Sequence, residues 1–191
     1  MPRTKPADER RADLLAAAEA LFVSQGVPTT TTEDITRKAG VSKGLFYLYF
    51  RSKEDLLASL QERFVTAFAE SVRAAADAQR DLPAKLDACV RACFDQFHAQ
   101  DRLHEVLFRH PTRPPDHHPP LVEAIRAVLA EGVAAGAFRL DDVEATAVLL
   151  QSAMHAFDRT FRQNDRLSDE RLLQATQQLA RRAVGLSAPE R

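Results

Sequence analysis

Two carboxylate–histidine pairs are the side chains best suited to chemistry. Asp95-Gln-Phe-His98 and Asp101-Arg-Leu-His104 each set an acid three residues before an imidazole. On helices that i,i+3 spacing is the ligand pattern of di-iron bundles, so these four residues define a helical-bundle metalloenzyme as one reading. Against it, a six-residue offset turns the second pair by about 240° from the first on an ideal helix. No matching glutamates stand on partner segments. His110, Asp116, His117 and His118 fall in a proline-rich stretch that reads as a solvated loop, with a metal site or pH-sensitive gate as the sharper alternative. Cys89 and Cys93 at i,i+4 would hold their Cβ atoms ~5–6 Å apart on a helix, too far for a disulfide, and read as small buried hydrophobes. There is no nucleophile elbow, phosphate loop or zinc-type Cys/His array. No catalytic residue, resident metal or cofactor is therefore expected, and the expectation is a protein that is not an enzyme.

A second constellation suits binding. Lys43, Gly44, Tyr47 and Leu48 lie within one short segment of helical period. A glycine inside a short helix costs ~1 kcal/mol relative to alanine, which is locally expensive unless something must approach the backbone closely. A phosphate would be such a partner. A tyrosine hydroxyl can donate to phosphate, and an apolar side chain can touch a thymine methyl. Lys53, at a helix start, would add a cation beside backbone N–H groups already suited to a phosphate. The bland alternative for this face is a solvated helix surface.

Helices must hold these groups in place. Nearly every window carries apolar residues at helical period and none alternates as a strand would, so the spacing predicts an all-α fold of about nine helices. Leu14, Leu15, Ala18, Leu21 and Phe22 stripe a first helix that Gly26 and Pro28 close. Thr29 to Thr32 offer hydroxyl caps to a short second helix over 32–39, with Glu33 and Asp34 favourable at its positive end. Gly40 stops it, Ser42 caps a recognition helix over 42–50, and Ser52 opens a longer one. Ile35, Ala39, Val41, Phe46 and Phe50 then face inward, leaving Lys43, Gly44, Tyr47 and Leu48 outward. Two short helices about a glycine turn are the outline of a helix-turn-helix, whose second helix enters the major groove. The expected division is a flexible basic arm over 1–9, a DNA-binding domain over 10–55, and a helical domain over 56–191.

With 191 residues, 45% hydrophobic and 28% charged, the composition is that of an ordinary globular chain. The net charge of −1 argues against a surface coated with cations. Residues 1–60 carry nine basic and eight acidic side chains, so the cations are few and placed: Arg3, Lys5, Arg10 and Arg11 in the arm, Lys43, Arg51 and Lys53 around the recognition helix. A few phosphate contacts per subunit would bind weakly, and affinity would come from two linked half-sites. No apolar run approaches the ~20 residues of a membrane span. The charged start lacks a signal-peptide core, so the expected address is the cytoplasm.

The segment Gly40-Val-Ser-Lys-Gly-Leu-Phe-Tyr-Leu-Tyr-Phe50-Arg-Ser-Lys53-Glu-Asp-Leu-Leu57 resembles the DNA-reading region of TetR/AcrR-type helix-turn-helix transcriptional regulators. Leu14-Leu-Ala-Ala-Ala-Glu-Ala-Leu-Phe22 with the Gly26 stop is similar to the family's first helix. The match is dense over 8–60; beyond it rests on helix count and on the Gly136-Ala-Phe-Arg-Leu-Asp-Asp142 joint. The resemblance implies a ligand-responsive regulator of double-stranded DNA, a repressor released from a near-palindromic operator, and assigns effector binding and dimerisation to the helical domain over 56–191. It implies phosphate contacts from Thr32, Tyr47, Tyr49 and Lys53, and a recognition-helix start at Ser42, Lys43 and Gly44, with Lys43 reading a base. Leu45 and Leu48 depart from the commoner polar choices and favour van der Waals contact.

The last two helices carry apolar residues at coiled-coil spacing, which reads either as a core stripe or as one half of a four-helix bundle shared by two subunits. The resemblance favours the homodimer, with Leu150, Phe157, Phe161, Leu172, Leu179 and Ala183 as interface candidates. It also implies an effector cavity lined by Phe64, Phe68, Phe94, Phe97, Phe108 and Met154, with His98, His104, Arg109 and His155 as polar handles. An apolar or amphipathic effector would suit that lining.

Overall fold

The computed structural model describes residues 6–109, 120–157 and 168–186. Among them the chain forms nine α-helices, one short 3-10 turn and no strand. They are α1 (Ala7–Gln25), α2 (Thr32–Ala39), α3 (Lys43–Tyr49), α4 (Lys53–Asp77), α5 (Leu82–Ala99), α6 (Asp101–Phe108), α7 (Pro120–Ala134), α8 (Val143–Met154) and α9 (Asp169–Ala183), with the 3-10 turn His155–Phe157 after α8. No helix of the described residues is long and apolar enough to cross a membrane.

The chain divides into two compact units: Met1–Phe64 with Arg102–Pro114, and Val65–Asp101 with Pro115–Arg191. The division expected at residue 55 therefore falls later, and α6 joins the N-terminal unit. Two side-chain bonds hold α6 there: Gln61 Nε2 donates to the Leu107 carbonyl at 2.7 Å, and Arg102 donates to the Val23 carbonyl at 3.0 Å. The arm expected over 1–9 overlaps α1, which begins at Ala7. Pro6 holds φ at −55° just before it, and Asp8 and Glu9 complement the positive end of the helix. Arg3 and Lys5 lie outside the described residues.

The first unit packs Leu14, Ala18 and Phe22 of α1 against Ile35 of α2, Phe46 and Phe50 around α3, and Leu56 and Leu60 of α4, all at most 2% exposed. Between α2 and α3, Gly40 takes the left-handed conformation (φ 67°, ψ 32°), which a side chain would strain.

In the second unit α5 packs against α7, α8 and α9 around Leu86, Val90, Ile125, Leu129, Ala147, Met154 and Leu173, all fully buried. Gly132 of α7 lets Phe138 lie against the helix backbone; a Cβ there would come within 1.9 Å of the ring. Arg181 of α9 clamps Asp87 of α5 through two guanidinium nitrogens. Cys89 and Cys93 are fully buried and free, and burial pushes both thiols up, Cys89 to about 12, so both stay protonated and act as hydrophobes.

Candidate nucleic-acid interface

Local chemistry fixes both short helices. Thr31, one residue before α2, closes a capping box: its hydroxyl accepts from the Asp34 N–H, and the Asp34 carboxylate accepts from the Thr31 N–H at 3.1 Å. The Thr31 hydroxyl also holds the Asp34 carboxyl below its ordinary range. Ser42 caps α3, its Oγ accepting from Leu45 N at 3.3 Å. Phe46 anchors α3 inward, its ring edge-on to Tyr47 at 5.3 Å and tilted against Phe50 at 5.7 Å. Arg11 of α1 lies over the Phe50 ring at 5.2 Å, a cation–π contact that ties α1 to the end of α3.

What α3 turns outward is the set expected from its spacing. Lys43 and Gly44 are exposed, Tyr47 is 52% exposed and Leu48 73%. At Gly44 a Cβ would meet only Ser42 Oγ, at 4.0 Å, so no contact among the described residues requires a glycine there. Leu45 and Tyr49 are half-buried at the flanks. The face thus joins a cation, an open stretch of backbone, a phenol and a leucine. That combination can meet phosphate, base edges and thymine methyl groups.

Two expected phosphate ligands already have partners. Lys53 Nζ donates to the Val27 and Thr30 carbonyls at 2.8 and 2.9 Å, fastening the α1–α2 connection to the start of α4. An ammonium has three donors, so this leaves one for a phosphate. Thr32 Oγ1 donates to Glu33 Oε2 at 3.0 Å. The Glu33 carboxylate also pairs with Lys43, which lowers the Glu33 pKa and holds the Lys43 ammonium above its ordinary value. From sequence Glu33 is legible only as a complement to the helix dipole, because its ion-pair partner lies across the turn on another helix. Replacing Lys53 with methionine is expected to cost about 2 kcal/mol through the two carbonyl bonds and to weaken DNA binding whatever the sequence; chemical denaturation and a salt series on one duplex check both effects.

The residues expected around an effector cavity separate into two groups. Phe64, His104 and Phe108 belong to the first unit, with His104 stacked on Phe108 at 4.8 Å and Phe64 edge-on to Phe108 at 5.7 Å. Phe68, Phe94, Phe97, His98, Met154 and His155 belong to the second, where Phe68 meets Phe97 at 5.2 Å and Phe97 meets His155 at 6.3 Å. Arg109 lines a cleft of about 470 Å³ within the first unit, beside Phe22, Val27, Arg102 and Glu105.

The metalloenzyme alternative finds no support in this arrangement. Asp95, His98 and Asp101 fall in the second unit and His104 in the first. The His98 ring nitrogens lie 2.9 Å from the Phe94 carbonyl and 2.9 Å from Asp169 Oδ2. Among the described residues no three His, Cys, Asp or Glu side chains gather as a metal site would need. His110, Asp116, His117 and His118 lie outside the described residues.

The dimer candidates need revision. Leu150 is 3% exposed and Phe157 1%, so both belong to the core of their own chain. The large apolar side chains that α8 exposes are Val148, at 42%, and Leu149, at 69%. On α9, Leu172 is half-buried while Leu179, 52% exposed, and Ala183 face outward. Phe161 lies outside the described residues.

Residues 14–60, the span holding the capped α2–turn–α3 pair, match the family model described as bacterial regulatory proteins, tetR family. Residues 14–60 are thus similar to the tetR family. Over 103 residues, 54% of its length, the chain is 35% identical to the HTH-type transcriptional activator FasR of Mycolicibacterium smegmatis, covering 47% of that protein. Over 53 residues, 28% of the chain, it is 49% identical to the HTH-type transcriptional regulator HbdR of an Aromatoleum species, covering 23% of it. The chain thus spans less than half the length of these curated relatives. The fold likeness extends further: the fatty acid degradation regulator FadR of Bacillus halodurans aligns over 93% of this chain and 96% of its own, with a TM-score of 0.69 at 20% identity.

Proposed function

We propose that this chain is a homodimeric DNA-binding transcriptional regulator, a repressor that leaves a near-palindromic operator when a small apolar or amphipathic molecule binds its helical body. The observation that carries the DNA-binding half is the outward face of α3, where an exposed tyrosine and leucine follow a glycine that no contact among the described residues requires. Ser42, Lys43 and Gly44 begin the helix that enters the major groove, where Leu45 and Leu48 make van der Waals contact; Thr32, Tyr47, Tyr49 and Lys53 meet the phosphates beside it. The net charge of −1 supports few contacts per subunit, so a dimer supplies affinity by engaging two half-sites about 34–36 Å apart. The effector half rests on the aromatic cluster of the second unit, where a ligand inserted beside Met154 among Phe68, Phe97 and His155 must separate those rings. It acts on DNA only through different affinity for the two spacings of the reading heads.

The dimer rests on adjacent α8 and α9. Ala145, Val148 and Leu149 face outward on the first, and Ala175, Leu179 and Ala183 on the second. A double Leu149→Glu, Leu179→Glu change places a charge on each helix of that face while sparing the core. Sedimentation is expected to find monomers whose DNA affinity has fallen at least about a hundredfold with the loss of the second half-site; a persistent dimer would move the interface elsewhere. The regulator reading as a whole is tested by selecting duplexes from a random library. Enrichment of a two-fold symmetric sequence supports it, and no enrichment contradicts it.

A further inference from the structure

We infer that Glu33 is an internal competitor for the DNA-reading cation, a carboxylate gate that raises sequence discrimination by making non-specific phosphate contacts unfavourable. The inference rests on the DNA-binding reading and deepens it. Both oxygens of Glu33 are engaged by groups expected at the interface: Oε1 pairs with Lys43 Nζ across the turn, and Oε2 accepts from Thr32 Oγ1 at 3.0 Å. The carboxylate therefore stands where a phosphate oxygen would, holding one cation and one hydroxyl in the free protein. The capping box of α2 is formed by Thr31 and Asp34, and Glu33 adds at that end only a bond to its own backbone N–H. All the charges involved are solvent-exposed, so neither partner is trapped by burial.

The physical consequence is a threshold. To touch a phosphate on an arbitrary duplex, Lys43 must exchange one exposed anion for another, and the net gain is small. To touch a guanine edge, Lys43 gains hydrogen bonds to O6 and N7 that a phosphate does not offer, and the exchange becomes favourable. Released Glu33 then lies beside the DNA, where its charge penalises every complex in which Lys43 is not fully compensated. Glu33 thus subtracts more from wrong sequences than from right ones, which is how an attractive contact becomes a selective one.

The test compares wild type, Glu33→Gln, Lys43→Gln and the double variant on two labelled duplexes, one selected by the wild-type protein from a random library and one with the same bases scrambled. Glu33→Gln is expected to bind the scrambled duplex about fivefold tighter, the worth of one unit-charge contact in water. Its plot of log affinity against log salt steepens by about 0.9 as Lys43 neutralises one more phosphate. Its preference for the selected duplex falls about threefold or more. In the Lys43→Gln background the same change alters scrambled-duplex affinity less than about twofold, because the gain runs through Lys43. An equal gain in both backgrounds would reveal a general charge effect and overturn the gate, as would an unchanged preference with an unchanged salt slope. A wild-type chain that binds neither duplex overturns the DNA-binding reading itself, and one that binds both alike overturns its sequence-specific form and the gate with it; a wild-type preference without the Lys43 coupling overturns the gate alone.

Discussion

Gly44→Ala is expected to make the protein slightly more stable and to weaken its binding to a selected duplex at least about tenfold. The two directions oppose each other because they have separate causes. Within the chain the substitution is free: the new Cβ meets only Ser42 Oγ at 4.0 Å, and an alanine in a helix is favoured over glycine by about 0.5–1 kcal/mol. Against DNA the same methyl group stands between the backbone of α3 and the groove it must approach, and a loss of about 1.4 kcal/mol or more is a tenfold loss in affinity. Denaturation and duplex titration of one variant preparation give both quantities. Lower stability together with weaker binding would mean that the glycine serves the fold, and the interface would lose its main support.

Phe46→Ala is the largest destabilisation expected in the first unit, about 3–5 kcal/mol. Phe46 is fully buried, packs edge-on to Tyr47 and tilted against Phe50, and is the single buried side chain of the seven-residue α3. So short a helix has little stability of its own and depends on that anchor. Its loss leaves a cavity beneath the recognition helix and is expected to abolish duplex binding although no contact residue has changed. Both tyrosines of the chain, Tyr47 and Tyr49, lie on α3 and there is no tryptophan, so tyrosine emission during urea unfolding follows this helix directly.

The parts of the site that were legible in the sequence are those that local chemistry decides. The bounds of α2, the Gly40 turn, the Ser42 cap and the inward Phe46 and Phe50 depend on residues within a few positions of one another. The outward set Lys43, Gly44, Tyr47 and Leu48 follows from the same period. What escaped was pairing at a distance. Nothing in the order of residues announces that Lys53 reaches the carbonyls of Val27 and Thr30, or that Glu33 meets Lys43. The dimer candidates show the same limit. Coiled-coil spacing finds the apolar stripe of α8, but a stripe has two edges, and the chain's own packing decides that Leu150 is covered while Leu149 is left out. The aromatic candidates divide because helical period places Phe64 and Phe68 one turn apart on α4, while the boundary between the two units falls between them.

If the outward face of α3 meets DNA, the two tyrosines report the contact without any change to the residues that make it. Protein labelled uniformly with 3-fluorotyrosine carries fluorine only at Tyr47 and Tyr49, both on α3. Fluorine NMR during titration with the selected duplex is expected to show both resonances moving in step with binding, the half-exposed Tyr47 losing its response to dissolved paramagnetic relaxation agent, and both effects reversing at high salt. Duplex binding that leaves the Tyr47 resonance in place and equally open to the agent would contradict the account.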